Sequence, residues 1–533
     1  MALSKSSGFD HISKRLIRSG SPTVYQLNTK KENIGTLTRI TFGKKDPNKE
    51  NKTILLVGET KTGKSTLINT FVNYAMGVEW EDDVWFNIVE KVDEESESET
   101  ETSDVIVYEI FGFEDKPLPY SLTIIDTPGY GNTRGTEQDH IISQRLLDLF
   151  RSEDGVHEIN VVGLVLKATE NRLNDQLRYI FDSAVSLFGK DMENKIVAIL
   201  THSTGVSPEN ALTALKAANI RCAKDADKQP VHFLFNNCQQ EDRTEGKEVL
   251  IQRNKITKTG WSKFSEFLDQ TEPQKLETTV TVLNERIRLK ACIQNLQERV
   301  ELIEKQQKEI QQTEEMLKKH EQKMRSNENF TVEVDEVYKE KQPFKGGMWL
   351  VVFYEGAVCC TKCEENCHYP GCTMAWYPRD CEVMRRGRCT SCRGKCPVSD
   401  HVKEEKIYMT KTRKVQQTLQ EVKEKYDRSK ADCEKTTSLL EDLERKKQEL
   451  QRDKDQWLEE SFKHVVNLEQ IALNVDSLST HIYLDFLIKK MKERGDTEKV
   501  QKLEQMKARL DKGARAGLQY MFGRVRAGVT FNY

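Results

Sequence analysis

The octet GETKTGKS, Gly58 to Ser65, fits the pattern GxxxxGK[ST] and lies between a β-branched run, TILLVG, and the helix-like KSTLINTFVNYAMG. In that setting the glycines let backbone N–H groups converge on phosphate, and the helix N-terminus adds positive potential. Lys64 is expected to reach the β- and γ-phosphates and the Ser65 hydroxyl to ligate Mg²⁺. The whole expected cradle is Gly58, Glu59, Thr60, Lys61, Thr62, Gly63, Lys64, Ser65 and Thr66. A second element, LTIIDTPG, ends a hydrophobic run on Asp126, followed by Gly129. Asp in such a place holds Mg²⁺, usually through water, while the Gly amide can sense the γ-phosphate. Thr102, ahead of VIVYEI, is the candidate threonine that closes on Mg²⁺ and γ-phosphate, with Thr100 as its alternative.

Metal chemistry is the other signal. Nine cysteines fall between Cys359 and Cys396. Cys360/Cys363 and Cys389/Cys392 are CxxC pairs, whose spacing lets two thiolates grip one tetrahedral Zn²⁺. Cys367, Cys372, Cys381 and Cys396 offer a second quartet, with His368 or His401 as substitutes. Two structural zinc ions are expected, their grouping left open. A small insert has little core of its own, so metal would supply its folding energy. Disulfides fit poorly with reduced cytosolic thiols, and the spacings match none of the common Fe–S runs. The basic RRGR and KTRK nearby suit either a partner-facing patch or a solvated charged face.

These residues need elements to position them. VIVYEI, SLTIID, INVVGLVLKA, KIVAILTH and HFLFNN read as further strands, with helical segments among them. Strands alternating with helices imply an α/β domain with a mostly parallel sheet and helices on both faces, over 51–272. Residues 1–50, polar and basic, read as a flexible leader. From 274 to 330 the pattern is a coiled-coil helix, with Val282, Leu289, Leu296, Ile303, Ile310 and Leu317 seven apart and Ile293 and Val300 on the second seam. Heptads return over 411–460, at Val415, Val422, Leu443, Leu450 and Trp457, and at Leu419, Tyr426 and Leu440. The cysteine-rich module, 331–410, is expected at the tip of that hairpin, with TVEVDEVY and KIYMTKTR pairing as strands at its base. Pairing of the heptads between chains is the alternative. Residues 461–533 are expected to be a helical segment that folds back.

Composition bounds the function. A length of 533 residues calls for more than one core, and 31% charged against 37% hydrophobic residues suits a compact domain joined to long solvated helices. The formal net charge of −3 lacks the basic face that nucleic-acid binding needs. No apolar run is long enough for a transmembrane helix, and the first residues lack the apolar stretch of a signal peptide, so a cytoplasmic protein is expected.

The order of GETKTGKSTLIN, IIDTPGYGNTRG, ILTHSTG and FLFNN resembles the translation-factor-like GTPases, and more closely the AIG-type (GIMAP-like) GTPases and their septin-like relatives. The resemblance covers Thr53 to Asp269. The later CHYPGC and KCPVSDHVKE are similar to fish proteins that join an AIG-type G domain to a coiled coil. It implies a P-loop G domain that binds GTP or GDP with Mg²⁺ and dimerises through that domain. It also implies base recognition at Thr201–Thr204, where His202 would stack on the base and Thr204 replaces an acidic acceptor for guanine. A neutral hydroxyl accepts those hydrogen bonds less strongly. FNN adds Asn237, preferred to Asn236. Tyr130 follows DTPG where Ras-like switches carry the water-positioning Gln. Arg134 and Arg172 are the candidates to act in trans across a dimer, so slow hydrolysis is expected.

Two functions fit this inventory. One is a nucleotide-switched homodimer whose coiled-coil arm engages a partner protein. The other is a non-switching scaffold with a degenerate G domain.

Overall fold

A computed structural model describes residues 9, 12, 14–34, 37–90, 104–113, 118–128, 136–170, 175–244, 246–326, 331–344, 347–349, 353–372, 377–418, 421, 439–473 and 478–509. The chain divides into two units, one built on Met1–Asn284 with Glu469–His481, the other on Glu285–Leu468 with Ile482–Lys507.

In the first unit, near-continuous runs of Ile, Leu and Val make strands buried on both faces, as parallel sheets require. The eight strands of its main sheet are β1 (Lys30–Ile34), β2 (Leu37–Phe42), β3 (Asn51–Gly58), β4 (Ile106–Ile110), β5 (Ser121–Asp126), β6 (Val161–Lys167), β7 (Ile196–Thr201) and β8 (His232–Leu234). They lie in the order β8-β7-β6-β3-β5-β4-β2-β1. The five strands from β8 to β5 are parallel; β4 runs antiparallel to β5, and β1 antiparallel to β2. The fold is therefore the expected mixed α/β sheet with crossover helices.

The leader departs from expectation. Residues 1–50 were read as flexible, yet β2 pairs in parallel with β4, and Thr23–Leu27 pairs in parallel with Val84–Asn87. Leu37, Ile40 and Phe42 bury into the core, so apolar residues hidden among basic neighbours pay for this ordering.

Helices α1 (Lys64–Met76), α2 (Thr136–Arg151), α3 (Asp175–Val185), α4 (Glu209–Ala217) and α5 (Lys247–Gln270) cover the sheet. Phe71 of α1 stacks with Phe264 at 5.1 Å and meets Trp261 at 5.1 Å and Phe235 at 5.5 Å. Gly260 lets α5 lie directly on β8, because a Cβ there would come within 1.9 Å of the Leu234 carbonyl oxygen.

In the second unit a long helix, α6 (Glu277–Ser326), supplies one wall from Glu285 onward, and α7 (Leu439–Ile471) the other. Glu285 meets His464, Cys292 meets Ser461, Arg299 lies over Trp457 and Glu304 meets Lys454. Positions that rise along α6 meet positions that fall along α7, so the helices pack antiparallel within one chain. Leu289, Ile293, Leu296, Val300, Ile303 and Ile310 are buried, as are Leu450 and Trp457. Two shorter helices follow, Leu478–Arg494 and Thr497–Arg509.

The second heptad run starts later than expected. Residues 406–418 form β13 (Lys406–Thr418), paired antiparallel with β9 (Thr331–Pro343), so Val415 opposes Val334 in a ribbon. Leu419, Val422 and Tyr426, and the side chains of Leu317, Leu440 and Leu443, lie outside the described residues. Nor does the cysteine module sit at a hairpin tip. The ribbon runs back along α6, where Gln312 donates to Asp335 and Glu309 accepts from the Val337 amide. That return lays the module against Arg288, Asn295 and Arg299.

Arg299 is the clamp. Its Nε and Nη2 grip Glu365 at 2.8 and 2.7 Å, Nη2 also donates to the Ser391 carbonyl, and the guanidinium lies 4.3 Å from the Trp457 ring centre. Both charged side chains are buried. Beside them burial raises Glu298 to about 7, although the Asn366 amide donates to it.

Breaking a buried ion pair on one side leaves an uncompensated charge. Arg299→Ala is expected to cost about 3–5 kcal/mol in urea unfolding of the second unit. Glu298 has the opposite sign: a carboxyl whose folded pKa is raised costs stability once pH exceeds its unfolded value of about 4.3. That cost is complete above its folded value. Glu298→Gln should therefore raise the thermal midpoint at pH 8, with the gain shrinking as pH falls toward 5.

Candidate nucleotide site and cysteine centre

β3, β5, β7 and β8 all end at one edge of the sheet, the carboxyl edge at which open α/β sheets bind ligands. Gly58 closes β3 opposite Val165 of β6, and a Cβ there would fall 2.4 Å from the Val165 carbonyl oxygen. The loop then turns through Lys61 (φ 64°) and Gly63 (φ 91°) before α1 begins. Gly63 gives α1 no side-chain cap, and the first turn carries no acidic residue, so the leading amides face the loop.

The expected site residues fall as follows. Lys64 is buried, and its ammonium donates to the carbonyls of Gly58 (2.8 Å) and Glu59 (3.1 Å). Thr62 Oγ1 donates to the Glu59 carbonyl, tightening the turn. Thr60 Oγ1 is buried with no hydrogen-bond partner among the described residues. Ser65 and Thr66 are half-buried at the start of α1. Asp126 is fully buried at the end of β5, in register with Leu56, and Thr127 Oγ1 donates to the Leu56 carbonyl. Burial, then Glu170, raises the Glu59 carboxyl. A cradle of left-handed glycine, a helix start without a side-chain cap, a buried hydroxyl at Thr60 and a buried carboxylate on the adjacent strand fits a phosphate chain with Mg²⁺. Thr100, Thr102, Gly129, Tyr130, Arg134 and Arg172 lie outside the described residues.

At the segment expected to recognise the base, His202 (φ 54°) turns its ring toward the P-loop, its Cε1 3.7 Å from where a Gly63 Cβ would stand. Partial desolvation, then Lys167, lowers its pKa. Thr204 is exposed. Asn237 faces α1, its Oδ1 3.3 Å from Thr70 Oγ1. Asn236 ties the two base loops together, with Nδ2 on the Ser203 carbonyl at 2.8 Å and its amide on Thr257 Oγ1 at 2.9 Å.

Asn69 and Asn73 escaped sequence reasoning, as did the positioning role of Thr201, which reads in sequence only as part of the base segment. Thr201 Oγ1 donates to the Thr62 carbonyl at 2.7 Å, pinning the P-loop to β7. Asn69 and Asn73 of α1 hold the backbone of Phe86, Ile88 and Val89. Only the register of THST beside the P-loop could have pointed to Thr201.

In the second unit the cysteines gather differently from expectation. Cys360, Cys363, Cys392 and Cys396 form one group and Cys367, Cys389, Cys392 and His401 another, the ligand atoms of each within 4.8 Å of one another. Each CxxC pair stays together, Cys360 with Cys363 in the first group and Cys389 with Cys392 in the second, and the pairing of β10 (Phe353–Cys360) with both β11 (Glu365–Cys372) and β12 (His401–Glu404) brings His401 opposite Cys360. Cys381 joins His368 and Glu382 instead, with His368 Nδ1 3.1 Å from its sulfur. The Cys372 side chain lies outside the described residues.

His401 Nδ1 lies 2.9 Å from the Pro397 carbonyl, while its Nε2 is buried with no hydrogen-bond partner among the described residues. Backbone amides of Cys363, Cys392 and Cys396 donate to sulfur at 3.2–3.3 Å. Donors around thiolates and an oriented imidazole suit a metal. The eleven described cysteines are free thiols, with no disulfide among them.

The septin family model matches residues 48–152, less than half of the chain. No curated protein matches it. Among solved structures, the chain is similar to Toc33 from Arabidopsis thaliana in complex with GDP and Mg²⁺, at 14% identity and a TM-score of 0.27, over 42% of this chain and 87% of that one. It is also similar to elongation factor SelB from Methanococcus maripaludis in complex with the GTP analogue GppNHp, at 12% identity and a TM-score of 0.23, over 43% of this chain and 36% of that one.

Asn236→Ala removes the donor to a buried carbonyl. It is expected to cost about 1–2 kcal/mol, read as a lower urea midpoint of the first unit.

Proposed function

We propose that this chain is a guanine-nucleotide-binding switch of the AIG-type, septin-related kind, a slow GTPase whose G domains pair when GTP is bound. The arrangement that carries the reading is Lys64 and Ser65 on the P-loop with Asp126 buried on the neighbouring strand end. Gly58 to Thr66 would cradle the phosphates, and Ser65 and Asp126 would hold Mg²⁺, which would neutralise charge on the phosphates. Thr102 and Gly129 would sense the γ-phosphate, His202 would stack on the base and Asn237 would assist its recognition. Arg134 or Arg172 would act across the dimer.

The long helices would present a coiled-coil arm to a partner protein in the cytoplasm. The cysteine module would carry structural zinc, since soft thiolates and imidazole suit that ion.

An exposed Thr204 in place of an acidic acceptor favours a second reading, a scaffold that does not switch. Calorimetry on the full chain with GTP, GDP and ATP, each with Mg²⁺, separates the two. GTP and GDP are expected to bind and ATP not, and Lys64→Ala should weaken GTP about 10–100-fold, as loss of a charge-assisted bond implies. Equal ATP binding, or a sedimentation profile that GTP leaves unchanged, would hand the lead to the scaffold.

A further inference from the structure

The cysteine groups overlap at one residue. Cys392 belongs both to the group with Cys360, Cys363 and Cys396 and to the group with Cys367, Cys389 and His401. Six sulfurs and one imidazole nitrogen cannot give two separate tetrahedral ions four ligands each. They can if one sulfur serves both. We propose that these seven side chains hold two zinc ions bridged by the Cys392 thiolate, Cys360, Cys363 and Cys396 completing one tetrahedron and Cys367, Cys389 and His401 the other.

The inference rests on the zinc reading above and adds its architecture. A zinc–sulfur bond of about 2.3 Å in a tetrahedron spaces sulfurs about 3.8 Å apart. Cys363 and Cys396 already stand at 3.5 Å. His401 Nε2, buried and with no hydrogen-bond partner among the described residues, is the nitrogen left to bind once Nδ1 is committed to Pro397. Among the described cysteine side chains of the module the other two are engaged elsewhere: Cys359 Sγ turns to Asn366 and the Lys406 carbonyl, and Cys381 to His368 and Glu382.

Charge agrees. Two Zn²⁺ and six thiolates would carry about −2 in total, and Arg385, Arg386 and Arg388 lie on the same stretch of chain, while Arg393 and Lys395 pair with Asp453 and Glu460. The apolar core around the sulfurs is thin, with Ala291, Val358 and Val383 the buried aliphatic members. The ions would thus replace a core that the sequence lacks.

Two measurements on the full chain test this. Elemental analysis after zinc-saturated purification should give two zinc ions per chain, with Cys359→Ser unchanged and Cys392→Ser retaining fewer than one. Replacing zinc with Co²⁺ gives a readout that needs no variant. At two cobalt ions per chain a bridging thiolate couples their spins, so the EPR intensity should fall well below twice that of the one-cobalt form. Two ions with additive EPR intensity, or a single ion per chain, would overturn the bridge and leave the zinc reading standing. No bound zinc would overturn both.

Discussion

β3 must lie close enough to β6 that only glycine fits where it ends: a side chain at Gly58 would strike the Val165 carbonyl. The nucleotide edge follows from that approach. A strand buried on both faces can deliver polar chemistry only at its end, so the chain turns there through left-handed residues and enters α1 without a side-chain cap. Thr201 on the next strand but one and Thr127 at the end of β5 then fasten the loops to the sheet with hydroxyl-to-carbonyl bonds. The site is rigid because its fasteners are short side chains on strand ends, not long ones reaching across solvent.

The second unit answers the same need by other means. Its module has few aliphatic residues to bury, and sulfur occupies the space a core would fill. What fixes it to α6 is polar: Arg299 gripping Glu365, Arg288 on the Glu382 carbonyl, Asn295 on Ser391. Such contacts are directional, so they define one seating where a greasy patch would allow several. Buried charge brings a cost as well, which Glu298 shows in its raised pKa.

What could be read in advance was whatever is local in the chain. The P-loop, the Asp126 strand end and the alternation of strand and helix each occupy a few consecutive residues, and the α/β fold followed from them. The leader was misread because Leu37, Ile40 and Phe42 gain burial from β4, a partner about seventy residues away that no local pattern announces. Val415 sits at a heptad position and in an alternating run at once, and the register with Val334 decided for strand. The cysteine grouping was illegible for a related reason. CxxC spacing says which thiols can share an ion, but the pairing of β10 with β12 determines which side chains gather, and it brought in His401.

The ribbon of β9 and β13 has a consequence for how the protein keeps company. Among the described residues it has two strands, so each strand has an outer edge with no third strand on it, where Glu309 takes the Val337 amide and Asn366 the Tyr408 amide and carbonyl. Along it Glu333 meets Lys414, Glu336 meets Arg413 and Glu340 meets Lys411. In water these pairs contribute little to stability. A third strand that docked there would have to strip water from the same charges. The ladder thus works as a fence, letting an exposed thirteen-residue strand pair exist at cellular concentrations without recruiting its neighbours into aggregates.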